Sequence, residues 1–568
     1  MTTGPDVRMT LNYIIDSSRE KYGDLPAVGM ALEEPITYEE LHDRICALAV
    51  RLQADGLKKG DRVALLAENS HHWGTAYLAV VRLGAVGVPI LPDLPEADVH
   101  HILTEMKAAI VFTTQRQIDK LYDLRGNMIR KLITLDDYRG SADLLPVEPF
   151  GAYCESALAD YREAKVTGEL PVFPDVDEND VASILYTSGT SGFSKAVMLS
   201  HKNLTSNAYA ASTLMDVKPG SVFLSILPIS HTYEFTTGFT LPLLMGCRIA
   251  YAGKTPTPAI LQNLCAHEKP YIIFAVPLVL EKIYKKRVLP KIEKSRVLSV
   301  AYRFGPVRRR INKKIGRTLL QFFGGNLAMM GVGGASLNPE VEAFLVEARF
   351  PYLVGYGMTE AAPLIAGGPF GDKTIVVGST GKPIPGVEVK IEEPDPETGI
   401  GEIYARGPNV MLGYYNDEDA TREVLSPDGW LATGDLGSMD EQGNLSIKGR
   451  CKNVVVLASG ENIYPEVIEH KLNAVHWVVE SLVVEDDNKL VAWIYPDYES
   501  IDEMTTGQTR SQRREFLENL METMRKEVNA QLPLTSKLAE VLERREPFIK
   551  TATHKIKRYL YDKNAKIS

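Results

Sequence analysis

Tyr186-Thr187-Ser188-Gly189-Thr190-Ser191-Gly192-Phe193-Ser194-Lys195 follows an apolar run over 181–185 and ends on a lysine. An apolar run that gives way to Gly, Ser and Thr reads as a strand entering a flexible loop. Gly189 and Gly192 permit positive φ and let backbone N–H groups approach a polyphosphate closely. The hydroxyls of Thr187, Ser188, Thr190 and Ser191 add donors, and Lys195 adds a compact positive charge. The stretch is not a Walker loop, because Ala196 stands where that pattern needs Ser or Thr. Alone, a Gly/Ser-rich stretch also describes a plain surface loop. The decision comes from the segments further along the chain.

Those segments are Gly333-Gly334-Ala335, Tyr356-Gly357-Met358-Thr359-Glu360, Gly429-Trp430-Leu431-Ala432-Thr433-Gly434-Asp435 and Lys448-Gly449-Arg450-Cys451-Lys452. Ser459-Gly460-Glu461-Asn462-Ile463-Tyr464-Pro465 and Lys550-Thr551-Ala552-Thr553-His554-Lys555 complete the series. In this order they resemble the adenylate-forming superfamily of acyl-CoA synthetases, luciferases and peptide-synthetase adenylation domains. The resemblance runs from about residue 37 to 555. Three positions depart from the usual pattern: Ser194 replaces proline, Ala196 replaces glycine and His554 replaces glycine. The first two remove no charge or donor, and the third bears on a loop backbone while leaving Lys555 in place.

Size and composition agree with such an enzyme. At 568 residues the chain is too long for one hydrophobic core. An apolar share of 45% is ordinary for a globular protein, and a net charge of −10 argues against a general nucleic-acid binder. Cys46, Cys154, Cys247, Cys265 and Cys451 are scattered without metal-ligand spacing, as expected of reduced thiols in a cytoplasmic protein. No secretory signal or membrane span is read from the sequence.

The predicted fold class is α/β. An amphipathic helix over 37–53, strands over 60–66 and 87–91 and a helix over 76–83 open an alternation that implies largely parallel sheets. Strands over 222–227, 271–274 and 326–332 continue it. From about residue 388, turn signals between alternating runs predict a small β-rich subdomain. After Lys452 a compact α+β unit is predicted, with strands at 454–457, 478–484 and 490–495, a helix near 465–472 and a polar link over 499–510. A last long helix and a C-terminal strand close it. The expected domains are 1–451, binding ATP and the acid, and a mobile 452–568.

The resemblance implies a two-step chemistry: a carboxylate is joined to AMP with loss of pyrophosphate, and the acyl-adenylate then reacts with a thiol. It implies that Thr187, Ser188, Gly189, Thr190, Ser191, Gly192 and Lys195 hold the outer phosphates of ATP. Glu360, with Thr187, is the implied Mg²⁺ site and Thr359 the α-phosphate contact. Gly333, Gly334, Ala335, Gly355, Tyr356 and Gly357 would form the adenine pocket; Asp435 would accept the ribose hydroxyls, with Arg450 nearby. Lys555 is the implied catalytic lysine, bridging the substrate carboxylate and the α-phosphate. Lys452 is the implied hinge and Gly460 a lining of the CoA pantetheine tunnel. Each has an ordinary counterpart: Glu360 as a solvated loop carboxylate, Asp435 as a turn former, Lys555 as part of a basic tail. The register of the motifs favours the functional reading.

Pro228-Ile229-Ser230-His231-Thr232-Tyr233-Glu234 resembles an acyl-tunnel lining, with His231 either at the carboxylate end or a packing residue. Val276-Pro277-Leu278-Val279-Leu280-Glu281-Lys282-Ile283-Tyr284 and the insertion after it resemble long-chain fatty acyl-CoA synthetases in particular. A long-chain fatty acid and CoA are therefore the expected partners, with an acyl carrier protein as the rival acceptor and a silent adenylate-binding module as the rival of another class. Residues 285–318 hold 13 Lys/Arg against one acid, Glu293, with apolar residues interleaved. Such a run is either a solvated face or a peripheral contact at the inner face of a membrane.

Overall fold

Thr37 sets the first long helix. Its hydroxyl accepts the Glu40 N–H while the Glu40 carboxylate accepts the Thr37 N–H, a reciprocal cap that starts helix Tyr38–Ala54. Leu41, Ile45, Leu48 and Leu52 recur at helical spacing and are all buried. The computed structural model describes residues 7–124, 128–139, 147–187, 194–293, 296–456, 462–551 and 555–561.

Two eight-stranded sheets dominate. One runs, edge to edge, through Gly413–Tyr414, Ala196–Ser200, Val181–Tyr186, Val86–Ile90, Arg62–Leu66, Ile110–Thr113, Lys131–Thr134 and Val147–Pro149. The other runs through Leu364–Gly367, Tyr352–Gly357, Met329–Val332, Ile272–Ala275, Val222–Ser225, Arg248–Tyr251, Pro26–Met30 and Ile36–Thr37. Most neighbours are parallel, so helices must return the chain across their faces. The antiparallel pairs stand toward the ends of the sheets, and one of them carries the opening motif. Val181–Tyr186 and Ala196–Ser200 form a hairpin, with Tyr186 opposite Ala196. Apolar residues of both sheets share one core, centred on Trp73, Tyr77, Phe235 and Phe239. Trp73 stacks on Tyr77 at 5.6 Å between ring centres, and Phe235 meets Tyr77 edge-on at 4.9 Å.

The predicted β-rich subdomain is a four-stranded antiparallel sheet of Glu388–Glu392, Gly401–Arg406, Leu431–Met439 and Leu445–Arg450. Beyond it, Val478–Asp486, Lys489–Pro496 and Leu538–Glu543 form a three-stranded sheet with helices Pro465–Ala474 and Arg510–Asn529. This unit buries its own apolar set, including Ile468, Leu472, Ile494, Met524 and Val528.

Several local expectations change. The helix expected over 76–83 is His71–Arg82, because Ser70 caps it by accepting the Trp73 N–H. The polar link begins as a helix, Tyr498–Met504, capped by Asp497. Helices Leu11–Tyr22 and Phe150–Thr167 add to the reading. The basic insertion folds into helical segments, the longest being Gly305–Phe322. Cys46, Cys154, Cys247, Cys265 and Cys451 are free thiols. Among the described residues no helix is long and apolar enough to cross a membrane.

Candidate active site

The hairpin fixes Lys195. Thr187 donates its N–H to the Lys195 carbonyl at 3.0 Å, and its hydroxyl lies 3.5 Å from the same oxygen. These bonds close the base of the loop; Ser188, Gly189, Thr190, Ser191 and Gly192 lie outside the described residues. The Lys195 ammonium sits 4.6 Å from the centre of the Tyr414 ring, a cation–π distance. The Tyr414 hydroxyl donates to Glu360 Oε1 at 2.9 Å. Glu360 is buried, and burial pushes its carboxyl up against the opposing pull of Tyr414, Arg450 and Lys195. The turn after Glu360 is clamped by two buried asparagines. Asn409 donates to the carbonyls of Ala361 and Leu364 at 2.9 and 3.0 Å, and Asn207 donates to the same pair. Gly357, just before, is obligatory: a Cβ there would fall 2.0 Å from the Pro363 carbonyl oxygen.

Strand pairing assembles the next cluster. Asp435 and Arg450 are directly opposed in the antiparallel pair Leu431–Met439 and Leu445–Arg450, and Arg450 Nε lies 3.3 Å from Asp435 Oδ1. The other carboxylate oxygen accepts the Tyr356 hydroxyl at 2.8 Å. Burial raises the Asp435 carboxyl, opposed by the Arg450 charge, the Tyr356 bond and the Lys555 charge. Gly333 follows directly on strand Met329–Val332, where a Cβ would crowd the Tyr233 ring at 3.2 Å. Gly334 and Ala335 are exposed, and Gly355 lies on the same strand as Tyr356.

Lys555 comes from the C-terminal unit. Its side chain is exposed to solvent, yet the surrounding protein still partly desolvates the ammonium. Desolvation and the Arg450 charge lower its pKa, and Asp435 and Glu360 oppose that shift. The Lys555 N–H donates to the Thr551 hydroxyl at 3.2 Å. His231 feels the same lysine: burial, then the Lys555 charge, holds its imidazole down at about 4. Its Nδ1 accepts the Tyr233 N–H at 3.3 Å, so the neutral ring carries its proton on Nε2. The hydroxyl of Thr232 donates to that of Thr359 at 3.1 Å, joining the His231 segment to the Glu360 turn. Lys452 is exposed in a single turn, Cys451–Asn453, that follows strand Leu445–Arg450. Gly460 lies outside the described residues.

Elsewhere the C-terminal unit is held by Lys285, whose ammonium donates to the carbonyls of Asn473 and Val478 at 2.5 and 3.1 Å. Asn473 is in the last turn of helix Pro465–Ala474, where a cation meets the negative end of the helix dipole. Asn453 bonds Glu466 at the first turn of that helix.

Residues 15–415 match the family of AMP-binding enzymes. The chain belongs to that family. A long-chain-fatty-acid–CoA ligase of Yersinia pestis is 29% identical over 519 residues, covering 86% of this chain and 84% of that protein. The 3-[(3aS,4S,7aS)-7a-methyl-1,5-dioxo-octahydro-1H-inden-4-yl]propanoyl:CoA ligase of Rhodococcus jostii is 28% identical over 473 residues, covering 82% and 83%. The crystal structure of ATP-bound MatB from Rhodopseudomonas palustris superposes with a TM-score of 0.73 at 26% identity, over 97% of this chain and 98% of that one. This AMP-binding enzyme is an acid–thiol ligase.

In this AMP-binding enzyme the sequence does not single out Tyr414, Asn409 or Asn207. Each acts through a contact to a distant part of the chain, and none sits in a run whose spacing announces it. Gly413-Tyr414-Tyr415 is the available signal, a glycine and paired aromatics after the β-rich segment begins.

Proposed function

We propose that this acid–thiol ligase activates a long-chain fatty acid with ATP and transfers the acyl group to CoA. The observation that carries the reading is the seating of Lys555 among Glu360, Asp435, Arg450 and His231. In the first step a carboxylate oxygen attacks the α-phosphorus, the bond to the β-phosphate oxygen breaks and pyrophosphate leaves. Lys555 offsets the charge gathering between carboxylate and phosphate, while Lys195 faces the outer phosphates and Asp435 takes the ribose. In the second step the thiol loses its proton, its sulfur attacks the carbonyl and AMP leaves. Neutral His231 places an N–H beside the carboxylate without competing with Lys555 as a cation.

A Mg²⁺ ion fits the donor set. Among the described residues no cluster of three metal-ligating side chains exists, and Mg²⁺ is commonly held by one or two carboxylates together with substrate phosphates. Glu360 offers that hard oxygen, steadied by Tyr414; the ion would neutralise phosphate charge there. We also place the domain boundary at Lys452, with residues 452–568 turning about it between the two steps.

The long-chain preference rests on the names of relatives, among them those of Yersinia pestis and the peroxisomal long chain acyl-CoA synthetase 7 of Arabidopsis thaliana, 30% identical over 82% of this chain. Pyrophosphate release with palmitate, ATP and Mg²⁺ tests it, with and without CoA. Sustained turnover to palmitoyl-CoA supports the proposal. Turnover only with a carrier protein would move the acceptor, and no release with any fatty acid would overturn the substrate class. Lys555→Ala should abolish adenylation yet leave thioester formation from supplied acyl-AMP.

A further inference from the structure

Helix Gly305–Phe322 is seated firmly on one face only. Asn312, Gly316, Leu319 and Phe322 are buried. A Cβ on Gly316 would fall 2.1 Å from the Ala348 carbonyl oxygen, so the helix backbone lies directly on its neighbour. Arg308 and Asn312 both bond Glu347, at 2.8 Å each. At about 100° per residue, positions 310, 313, 314 and 317 fall together on the opposite face. They are Arg310, Lys313, Lys314 and Arg317, all exposed. Among the described residues the ion pairs of this helix are confined to Arg308 with Glu347, and none of these four cations has a carboxylate partner.

Exposed apolar groups lie at and just before the N-terminal end of this helix. Phe304, just before the helix, is 62% exposed, Val300 57% and Val307 41%. From residue 294 to 318 the sequence contains no acid, in a chain of net charge −10. A solvated face explains the cations but not three uncovered apolar side chains at one end of the stripe.

We propose that this face, its cations Arg310, Lys313, Lys314 and Arg317 together with exposed Phe304, Val300 and Val307 near its N-terminal end, docks on an anionic lipid bilayer. Charge complementarity selects the occupant: the cations meet head-group phosphates while the aromatic and aliphatic tips reach the acyl boundary. A nucleic acid or an acidic protein would also meet the cations, and either becomes an outcome of the test. The proposal rests on exposure and charge alone, so it stands or falls apart from the choice of acid substrate.

The test is sedimentation of the full chain with vesicles of phosphatidylcholine, and of phosphatidylcholine mixed with phosphatidylglycerol, without ATP or acid. Binding is expected on the mixed vesicles only, weakening with salt. Replacing Arg310, Lys313, Lys314 and Arg317 by glutamine should cut it by about fivefold per cation, and Phe304→Ser should weaken it while leaving its salt dependence. All five positions are exposed, so the melting temperature should stay put and confirm folding. Equal binding to both vesicle types, binding that survives the four glutamines, or capture of a nucleic acid or an acidic protein in place of vesicles would overturn the proposal.

Discussion

Lys195 and Glu360 are joined through one aromatic ring: the lysine lies 4.6 Å from the Tyr414 ring centre, and the Tyr414 hydroxyl donates to Glu360 at 2.9 Å. A tyrosine placed between cation and carboxylate steadies both without letting them neutralise each other directly. On the proposed reading, the cation is left to face a triphosphate and the carboxylate to face its ion.

That arrangement separates two losses at Tyr414. Tyr414→Phe keeps the ring under Lys195 and removes one bond to Glu360, a charged hydrogen bond of about 1.5–3 kcal/mol. Tyr414→Leu removes both contacts. Pyrophosphate-release kinetics should show the phenylalanine variant weakened by about tenfold or more and the leucine variant further. Equal loss in the two would mean that the ring contact contributes nothing.

Acid sensitivity is the next expectation. Burial raises both Glu360 and Asp435, so each takes up a proton at a higher pH than an exposed carboxylate does. If both act ionised, adenylation falls on acidification while ordinary carboxylates are still charged. The Arg450 charge opposes the Asp435 shift, so Arg450→Gln should move the acidic limb of kcat/KM for ATP to higher pH. An unmoved limb would remove Asp435 from the titrating groups.

Glu234 makes a stability prediction of opposite character. It is 1% exposed, neither oxygen makes a full hydrogen bond among the described residues, and burial pushes it up to about 8, with Ser225 offsetting this only in part. A folded pKa above the unfolded value means that folding takes up a proton. The stabilisation is therefore complete below the ordinary glutamate pKa of 4.5 and lost as pH rises toward about 8. Glu234→Gln, which cannot ionise, should gain on the parent protein by about 1.4 kcal/mol per pH unit across that window. Melting temperatures at a series of pH values would show the two curves separating; parallel curves would mean that Glu234 does not titrate there.

Lys285 offers a test of conformation rather than chemistry. Its ammonium reaches from the large part of the chain to the carbonyl end of helix Pro465–Ala474. Lys285→Met should favour other placements of the C-terminal unit by about tenfold, from the loss of charged hydrogen bonds. Adenylation should slow, while thioester formation from supplied acyl-AMP should hold its rate. Equal slowing of both steps would point to damaged packing instead.

The layered α/β architecture was legible because buried strands such as Val86–Ile90 and Ile272–Ala275 are short apolar runs bounded by turn formers. Lys195, Glu360, Asp435, Arg450 and Lys555 were legible because each sits in a segment with its own recognisable neighbours, and the fold brings their charges within reach of one another. Tyr414 and the Asn207–Asn409 clamp were not, since their partners are far away in sequence and a single tyrosine or asparagine carries no period. Helix Phe150–Thr167 escaped for a different reason. It buries only Phe150, Tyr153, Ala157 and Tyr161, a stripe too thin to stand out from the polar residues around it.

Tyr356 and Asp435 share one hydrogen bond at 2.8 Å, although they belong to different sheets. On the proposed reading, the wall of the base site and the anchor of the sugar site are thus a single mechanical part. Substitution of either disturbs both, so changes in nucleotide preference should arise as paired replacements, and a double-mutant cycle across these two residues should depart from additivity.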